Sequence, residues 1–158
     1  MSVYFKIGNL LDAPVDYICH QVNCQGRMGS GIAKQIRERW PIVYEHYVAL
    51  YNTKGIDVRH ELLGKIQVVN VASNQNIINM FGQESYGYDG KRYTSYDAFW
   101  ACLGEIREHI PRGSKIGFPA KIGCGLGGAN WEIIFRMIKE VLDDEYEVYI
   151  YMLEEEMV

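Results

Sequence analysis

Two glycine-rich segments far apart in the chain have the composition and setting of anion-binding loops. The first, Gly26–Ile32, follows the apolar run Val15–Val22. The second, Gly123–Gly128, follows the segment Lys115–Phe118. After each loop, apolar residues recur at spacings of three and four, which is the period of a helix. A strand–loop–helix junction presents unpaired backbone N–H groups at the positive end of the helix dipole, and this arrangement suits a phosphate group.

The two junctions predict a single crevice. Loops that follow the carboxyl ends of strands in an open α/β sheet lie at the edge where such folds bind ligands. Neither loop contains GxxxxGK[ST], which argues against a Walker-type nucleotide triphosphatase. The first loop matches GxGxxG only loosely, and no acidic residue clearly ends a second strand about twenty positions later. Each loop alone is compatible with a structural role, whereas the pair, with Asn23 at a strand end, favours anion binding by backbone amides.

Alternating strand and helix patterns predict an α/β fold with a mixed or mostly parallel sheet between helix layers. The predicted strands are Val3–Ile7, Asp16–Val22, Lys65–Val71, Ile77–Phe81, Lys115–Phe118 and Glu147–Leu153. The predicted helices are Gly31–Trp40, Ile42–Tyr51, Thr94–His109 and Asn130–Leu142, with Pro41 separating the first two. Asn130 is predicted to cap the last helix. The buried face of that helix is predicted to comprise Ile133, Ile134, Met137, Ile138, Val141 and Leu142.

Length and composition predict one domain over residues 1–158, because 48% hydrophobic residues in a chain of this length can build a core. No apolar stretch reaches the roughly 18 residues of a membrane span, and the first residues lack a signal-peptide pattern. We therefore expect a cytoplasmic protein without a membrane partner. A net charge of −4 argues against a broad nucleic-acid surface. The charged residues after the first loop, Lys34 and Arg37 among them, are predicted to form the solvated face of a helix.

The four cysteines, Cys19, Cys24, Cys102 and Cys124, contain no CxxC pair and are predicted to be buried free thiols. His20 and Cys24 are conceivable metal ligands, but no second pair has zinc-like spacing, so we expect no metal. For Cys124, between two glycines, packing is favoured over a nucleophilic role.

The segment Phe81–Thr94 is long for a connecting loop and contains three glycines and three tyrosines. It is predicted to form a lid or a wall over the crevice. Tyrosines there are suited to stacking on a ligand, and they are equally suited to anchoring an irregular loop. The sequence leaves both roles open.

Three motifs occur in order along the chain: Asn23 at a strand end, Gly26–Ile36, and Ile122–Gly127 followed by Trp131–Glu132. Together they resemble the macrodomain family of ADP-ribose binders, and the resemblance covers nearly the whole chain. It implies a three-layer α/β/α fold with a mixed, mostly parallel six-stranded sheet. Within the family, the chain looks similar to the branch with the yeast ADP-ribose-1″-phosphate phosphatase and the terminal ADP-ribose protein glycohydrolase.

The resemblance implies ADP-ribose or ADP-ribose-1″-phosphate as the partner, ADP-ribosylated macromolecules as further partners, and no cofactor. Asn9 stands where many members have an aspartate that receives the adenine amino group, and a neutral amide would make that contact weaker. Asn23 matches the asparagine that contacts the distal ribose. The residues implied to bind the ligand are Asn9, Asn23, Gly29, Ser30, Gly31, Ile32, Phe81, Gly123, Cys124, Gly125, Leu126 and Gly127.

The activity that the resemblance favours is hydrolysis of ADP-ribose-1″-phosphate to ADP-ribose and phosphate, with His20 and Asn23 as catalytic residues. His20 matches a histidine of the yeast phosphatase and is suited to acid–base chemistry, although a core histidine is the alternative. Loop amides would stabilise the developing charge, and water would be the nucleophile. The related glycohydrolase has a lysine and an aspartate where Gln83 and Gly127 stand here, which disfavours a lysine nucleophile. A non-catalytic ADP-ribose reader and a hydrolase of ADP-ribosylated protein or nucleic acid are the alternatives.

Overall fold

A computed structural model describes residues 2–54 and 61–153 of the protein. Six strands of the described chain form one sheet: β1 Val3–Ile7, β2 Tyr17–Asn23, β3 Ile66–Ala72, β4 Gln75–Gln83, β5 Lys115–Pro119 and β6 Glu147–Met152. Their order across the sheet is β1-β6-β5-β2-β4-β3. Only the β3–β4 pair is antiparallel among these strands, so the sheet is mixed and mostly parallel, as predicted.

The described helices are α1 Gly31–Arg39, α2 Pro41–Lys54, α3 Tyr96–His109 and α4 Trp131–Leu142. The predicted break at Pro41 is confirmed, and so is the Asn130 cap, whose Oδ1 accepts the Ile133 N–H at 3.3 Å. The prediction that α3 begins at Thr94 was wrong, because Ser95 caps the helix and Thr94 pairs with Gln83 in a β-bridge.

The sheet is apolar on both faces, so it requires a helix layer on each side. Along β2, the side chains alternate: Ile18 and Val22 pack with α1 and α2, while Cys19 packs with α3 and α4. The result is the predicted three-layer α/β/α arrangement. No described helix is long and apolar enough to cross a membrane.

The apolar stripe of α4 is narrower than predicted. Ile134, Ile138 and Leu142, at spacings of four, are fully buried. Ile133 is 44% exposed, because it lies beside this stripe and not within it.

Strand β2 positions both glycine-rich loops. It pairs in parallel with β4 along its whole length, from Tyr17 to Asn23. Its pairing with β5 comprises only Tyr17 with Ile116 and Ile18 with Gly117. Because β2 and β5 are not paired beyond Ile18, a gap opens between them at the carboxyl edge, where the two loops begin.

Gly117 on β5 packs against the chain just before β2. A Cβ atom there would lie 2.8 Å from Leu10 Cδ1 and 3.3 Å from Val15 Cγ2, and both residues are buried. We expect Gly117→Ala to lower the free energy of unfolding by about 1–3 kcal/mol, because an added methyl group overpacks the core. Urea denaturation measures this change.

The matched control is Gly104→Ala on α3, where a Cβ atom would meet open space. It should raise the free energy of unfolding by about 0.5–1 kcal/mol, because alanine favours a helix over glycine. Equal stability of Gly117→Ala and the unmodified protein would contradict the close packing at Gly117.

Candidate functional site

Two adjoining cavities lie at the carboxyl edge of the sheet, between the two glycine-rich loops. Their volumes are about 390 Å³ and about 280 Å³. They share four lining residues, Gln21, Ser30, Gln83 and Leu126, and therefore form one crevice with two compartments. We call them the large and the small compartment.

The large compartment contains most of the residues that the sequence predicts to bind a ligand. Its walls include Asn9, Ser30, Gly31, Ile32, Gly123, Gly125, Leu126 and Gly127. Asn9 also caps a short 3₁₀ turn, since its Oδ1 accepts the Leu11 N–H at 2.9 Å. The second lone pair of that oxygen is suited to a further donor.

The small compartment is lined by Asn23, Gly29 and the segment that precedes α3. Two of the three tyrosines of that segment, Tyr86 and Tyr88, line this compartment. The Tyr88 hydroxyl shares a hydrogen bond of 2.8 Å with the Ser30 hydroxyl, which joins the segment to the first loop. The third tyrosine has an anchoring role, because the Tyr93 hydroxyl donates to Asp89 Oδ1 at 2.9 Å.

Asn23 fixes the shape of the first loop as well as lining the small compartment. Its Oδ1 accepts the Gln25 N–H at 2.9 Å, and its Nδ2 donates to the Arg27 carbonyl at 2.9 Å. The Tyr47 hydroxyl lies 2.6 Å from the Asn23 carbonyl and accepts the Gly26 N–H at 3.1 Å. Burial raises the pKa of Tyr47, so its proton stays available for donation.

Two polar residues that sequence reasoning did not single out, Gln21 and Thr94, bridge the gap between β2 and the second loop. Gln21 Nε2 donates to Gln83 Oε1 at 2.7 Å and to Thr94 Oγ1 at 2.8 Å. The Thr94 hydroxyl donates to the Gly123 carbonyl at 2.8 Å. Gln21 Oε1 is buried without a hydrogen-bond partner among the described residues. A glutamine inside an apolar strand was the one signal available in the sequence.

His20 lies off the walls of both compartments and is fully buried on the α1–α2 face of the sheet. Its Nε2 donates to Asn79 Oδ1 at 2.5 Å, and Asn79 Nδ2 donates to Gln67 Oε1 at 3.0 Å. Gln67 in turn donates to the His46 carbonyl of α2. Burial lowers the pKa of His20 to about 4, which keeps the ring neutral near pH 7. The position fits the alternative of a core histidine.

Phe81 and Cys124 also do not line the two compartments. Phe81 is fully buried and packs against Tyr47, with ring centroids 5.9 Å apart. Cys124 is partly buried, and its thiol donates to the Ile122 carbonyl at 3.4 Å. Burial raises the pKa of Cys124, which disfavours a reactive thiolate. The other three cysteines are free and buried, as predicted.

All charged side chains among the described residues that line the crevice are basic. The lining contains Lys121 in the large compartment and Arg27 and Arg37 in the small one, with no carboxylate and no imidazole among the lining residues that are described. The whole chain, by contrast, has a net charge of −4. Cationic side chains and loop amides therefore concentrate where an anion would bind.

A group of possible metal ligands lies on α3, away from the crevice, and comprises Glu105, Glu108 and His109. Its central carboxylate already has partners, because Glu105 lies 3.0 Å from His109 Nε2 and 3.4 Å from Lys65 Nζ. This arrangement is an ordinary surface ion-pair network.

No family model matches the sequence. The chain is 28% identical over 152 residues to a DNA ADP-ribosyl glycohydrolase of Thermus aquaticus, an alignment that covers 93% of this chain and 40% of the relative. The chain thus spans about 40% of the length of the curated relatives that it matches.

Solved structures also resemble this chain, and two of them do so over nearly the whole length of both chains. A protein of unknown function from Bacteroides thetaiotaomicron is 30% identical with a TM-score of 0.80, and the match covers 96% of this chain and 98% of that one. The macrodomain of Thermus aquaticus DarG is 27% identical with a TM-score of 0.75, covering 94% and 97% respectively.

The buried His20 makes stability depend on pH. Its pKa is about 4 in the folded protein and about 6.5 in an unfolded chain, so between these values the unfolded chain binds the extra proton. The stabilisation is complete above pH 6.5 and is lost as the pH falls towards 4, by at most about 1.4 kcal/mol per pH unit. We expect His20→Gln to lose less stability than the unmodified protein when urea denaturation is repeated at pH 7 and pH 4.5.

The carboxylates titrate in both proteins, so the comparison isolates the histidine. Should the variant not fold, the NMR titration of the imidazole in the unmodified protein gives the same information. A midpoint near pH 6.5 for His20 would contradict its burial as a neutral ring.

Proposed function

We propose that this chain, which has the macrodomain fold and is similar in sequence to macrodomains, binds ADP-ribose and is a hydrolase that acts at the distal ribose. The observation that carries the proposal is the two-compartment crevice between two glycine-rich loops, lined by basic and neutral side chains among the described residues. ADP-ribose has two lobes joined by a diphosphate. A crevice of two compartments that meet between anion-binding loops matches that chemistry.

In this proposal the adenosine occupies the large compartment and the distal ribose the small one. Asn9 lies in the large compartment, where the family resemblance expects the adenine contact. Asn23 lies in the small compartment, where the resemblance expects the distal ribose. Ser30 and Leu126 line both compartments, so the diphosphate that joins the two lobes would pass between them.

The leading substrate is ADP-ribose-1″-phosphate. Water attacks the phosphorus, the bond between phosphorus and the ribose oxygen breaks, and that oxygen takes up a proton. Loop amides and arginine side chains would stabilise the charge that develops on the phosphate oxygens. The proposal gives His20 no proton-transfer role, because its ring faces Asn79 and lies off the compartment walls. Assignment to the phosphatase branch is part of this proposal.

Removal of ADP-ribose from DNA is the second candidate, because the Thermus aquaticus relative is named a DNA ADP-ribosyl glycohydrolase. Gln83 and Gly127 stand where the related terminal ADP-ribose glycohydrolase has its lysine and aspartate. A Cβ atom at Gly127 would lie 2.6 Å from the Gly123 carbonyl oxygen, so the loop has no room for a side chain at that position. This activity would therefore need water as nucleophile in place of a lysine.

Gly127→Ala tests the binding site. Because the added methyl group would collide with the Gly123 carbonyl, the second loop must shift. We expect the affinity for ADP-ribose to fall at least about tenfold, measured by calorimetric titration. Gly104→Ala is the control and should bind like the unmodified protein, since Gly104 lies on α3 outside the crevice. Unchanged affinity in a folded Gly127→Ala protein would argue against the second loop as the phosphate site.

Turnover assays on one preparation distinguish the activities. We expect ADP-ribose binding together with phosphate release from ADP-ribose-1″-phosphate. Release of ADP-ribose from an ADP-ribosylated oligonucleotide without phosphate release would favour the second candidate instead. Binding without either product would leave a reader of ADP-ribose, and absence of ADP-ribose binding would refute the proposal.

A further inference from the structure

We propose that Arg37 and Arg27 recognise a phosphate group attached to the distal ribose, within the small compartment. This inference rests on the proposed function and deepens it, because it names the chemical class of the group attached to the distal ribose. The relevant chemistry is a phosphate, either a free terminal 1″-phosphate or a phosphodiester of a nucleic-acid strand.

The orientation of Arg37 is set by an aromatic ring. Its guanidinium lies 3.7 Å from the centroid of the Tyr44 ring, and both residues line the small compartment. A guanidinium held on an aromatic face keeps its planar donors free at the edge and loses less entropy when it binds an oxyanion. Sequence analysis predicted Arg37 to be a solvated helix residue; it is exposed, but it also forms part of the compartment wall.

The charges of these arginines are not neutralised within the described chain. Neither Arg27 nor Arg37 forms an ion pair with a described residue, whereas Arg39 on the same helix pairs with Asp12 at 2.7 Å. Glu84, on the facing segment, does not line the compartment. Two guanidinium groups without an ion-pair partner among the described residues line the same compartment, and they are suited to an anion other than the diphosphate.

The small compartment reaches from the sheet to two helices. Asn23 lines it from β2, while Arg37 and Tyr44 line it from α1 and α2. Tyr86 and Tyr88, with exposed fractions of 42% and 71%, line the same compartment. Exposed tyrosines beside arginines are able to stack on a base next to a phosphodiester, so the wall is compatible with both phosphate sources.

The experiment compares two ligands that differ only in the terminal phosphate. Displacement of a fluorescent ADP-ribose analogue, followed by stopped flow before turnover, gives the affinities for ADP-ribose and ADP-ribose-1″-phosphate. We expect the unmodified protein to bind the phosphorylated ligand about tenfold tighter or more. Arg37→Gln should bring this ratio close to one, and Arg27→Gln should lower it in the same direction.

Lys34→Gln is the matched control, because it removes one positive charge from the same helix at a residue that does not line the compartment. It should keep the ratio of the unmodified protein. Melting temperatures confirm that each variant is folded. Equal ratios for Arg37→Gln and Lys34→Gln would overturn the inference.

The source of the phosphate follows from a second ligand pair, an ADP-ribosylated nucleoside with and without flanking phosphodiesters. If the flanking phosphodiesters raise the affinity and this increase depends on Arg37, the phosphate belongs to a nucleic-acid strand. If only the 1″-phosphate raises the affinity, the ligand is a small molecule. If the protein binds ADP-ribose but the added phosphate raises the affinity in neither pair, this inference is refuted and the proposed function is not. Absence of ADP-ribose binding would refute the proposed function and, with it, the inference.

Discussion

The early end of the pairing between β2 and β5 is the constraint on which the crevice depends. The two strands pair only at Tyr17 and Ile18, while β2 remains paired with β4 up to Asn23. The gap must be filled by something other than backbone hydrogen bonds. The Gln21 amide fills it by donating to Thr94, whose hydroxyl donates to the Gly123 carbonyl of the second loop. Because buried polar groups need partners, this network holds the second loop at a fixed distance from β2.

A row of polar side chains also crosses the α1–α2 face of the sheet, and it includes a residue of the same strand, β2. His20, Asn79 and Gln67 lie side by side on β2, β4 and β3, and their side chains bond in series. The row lies among apolar residues, so a shift of one residue in strand register would leave these groups unpaired. We infer that it fixes the register of the strands whose ends form the crevice.

The electrostatics of the crevice come from the backbone and a few cations. The chain as a whole is acidic, but the described residues that line the crevice include no carboxylate. The charged residues on its walls are Arg27, Arg37 and Lys121. Such a site favours anions by preorganised dipoles and charge, and it offers no evident side-chain base among the described lining residues. Hydrolysis there would depend on how the loops position water and stabilise charge.

The sequence by itself determined the three layers, the strand and helix types and the two glycine-rich loops, because apolar periodicity and glycine placement are local signals. The family resemblance also identified eight of the residues that line the large compartment, since they occur in short motifs of the chain. Only the tertiary structure decided that Gln21 and Thr94 meet, that His20 bonds to Asn79 and lies off the walls of both compartments, and that Arg37 lines the small compartment. These outcomes depend on strand pairing and on the face that each side chain takes, and contacts between residues 59 or 73 positions apart leave no local pattern in the sequence.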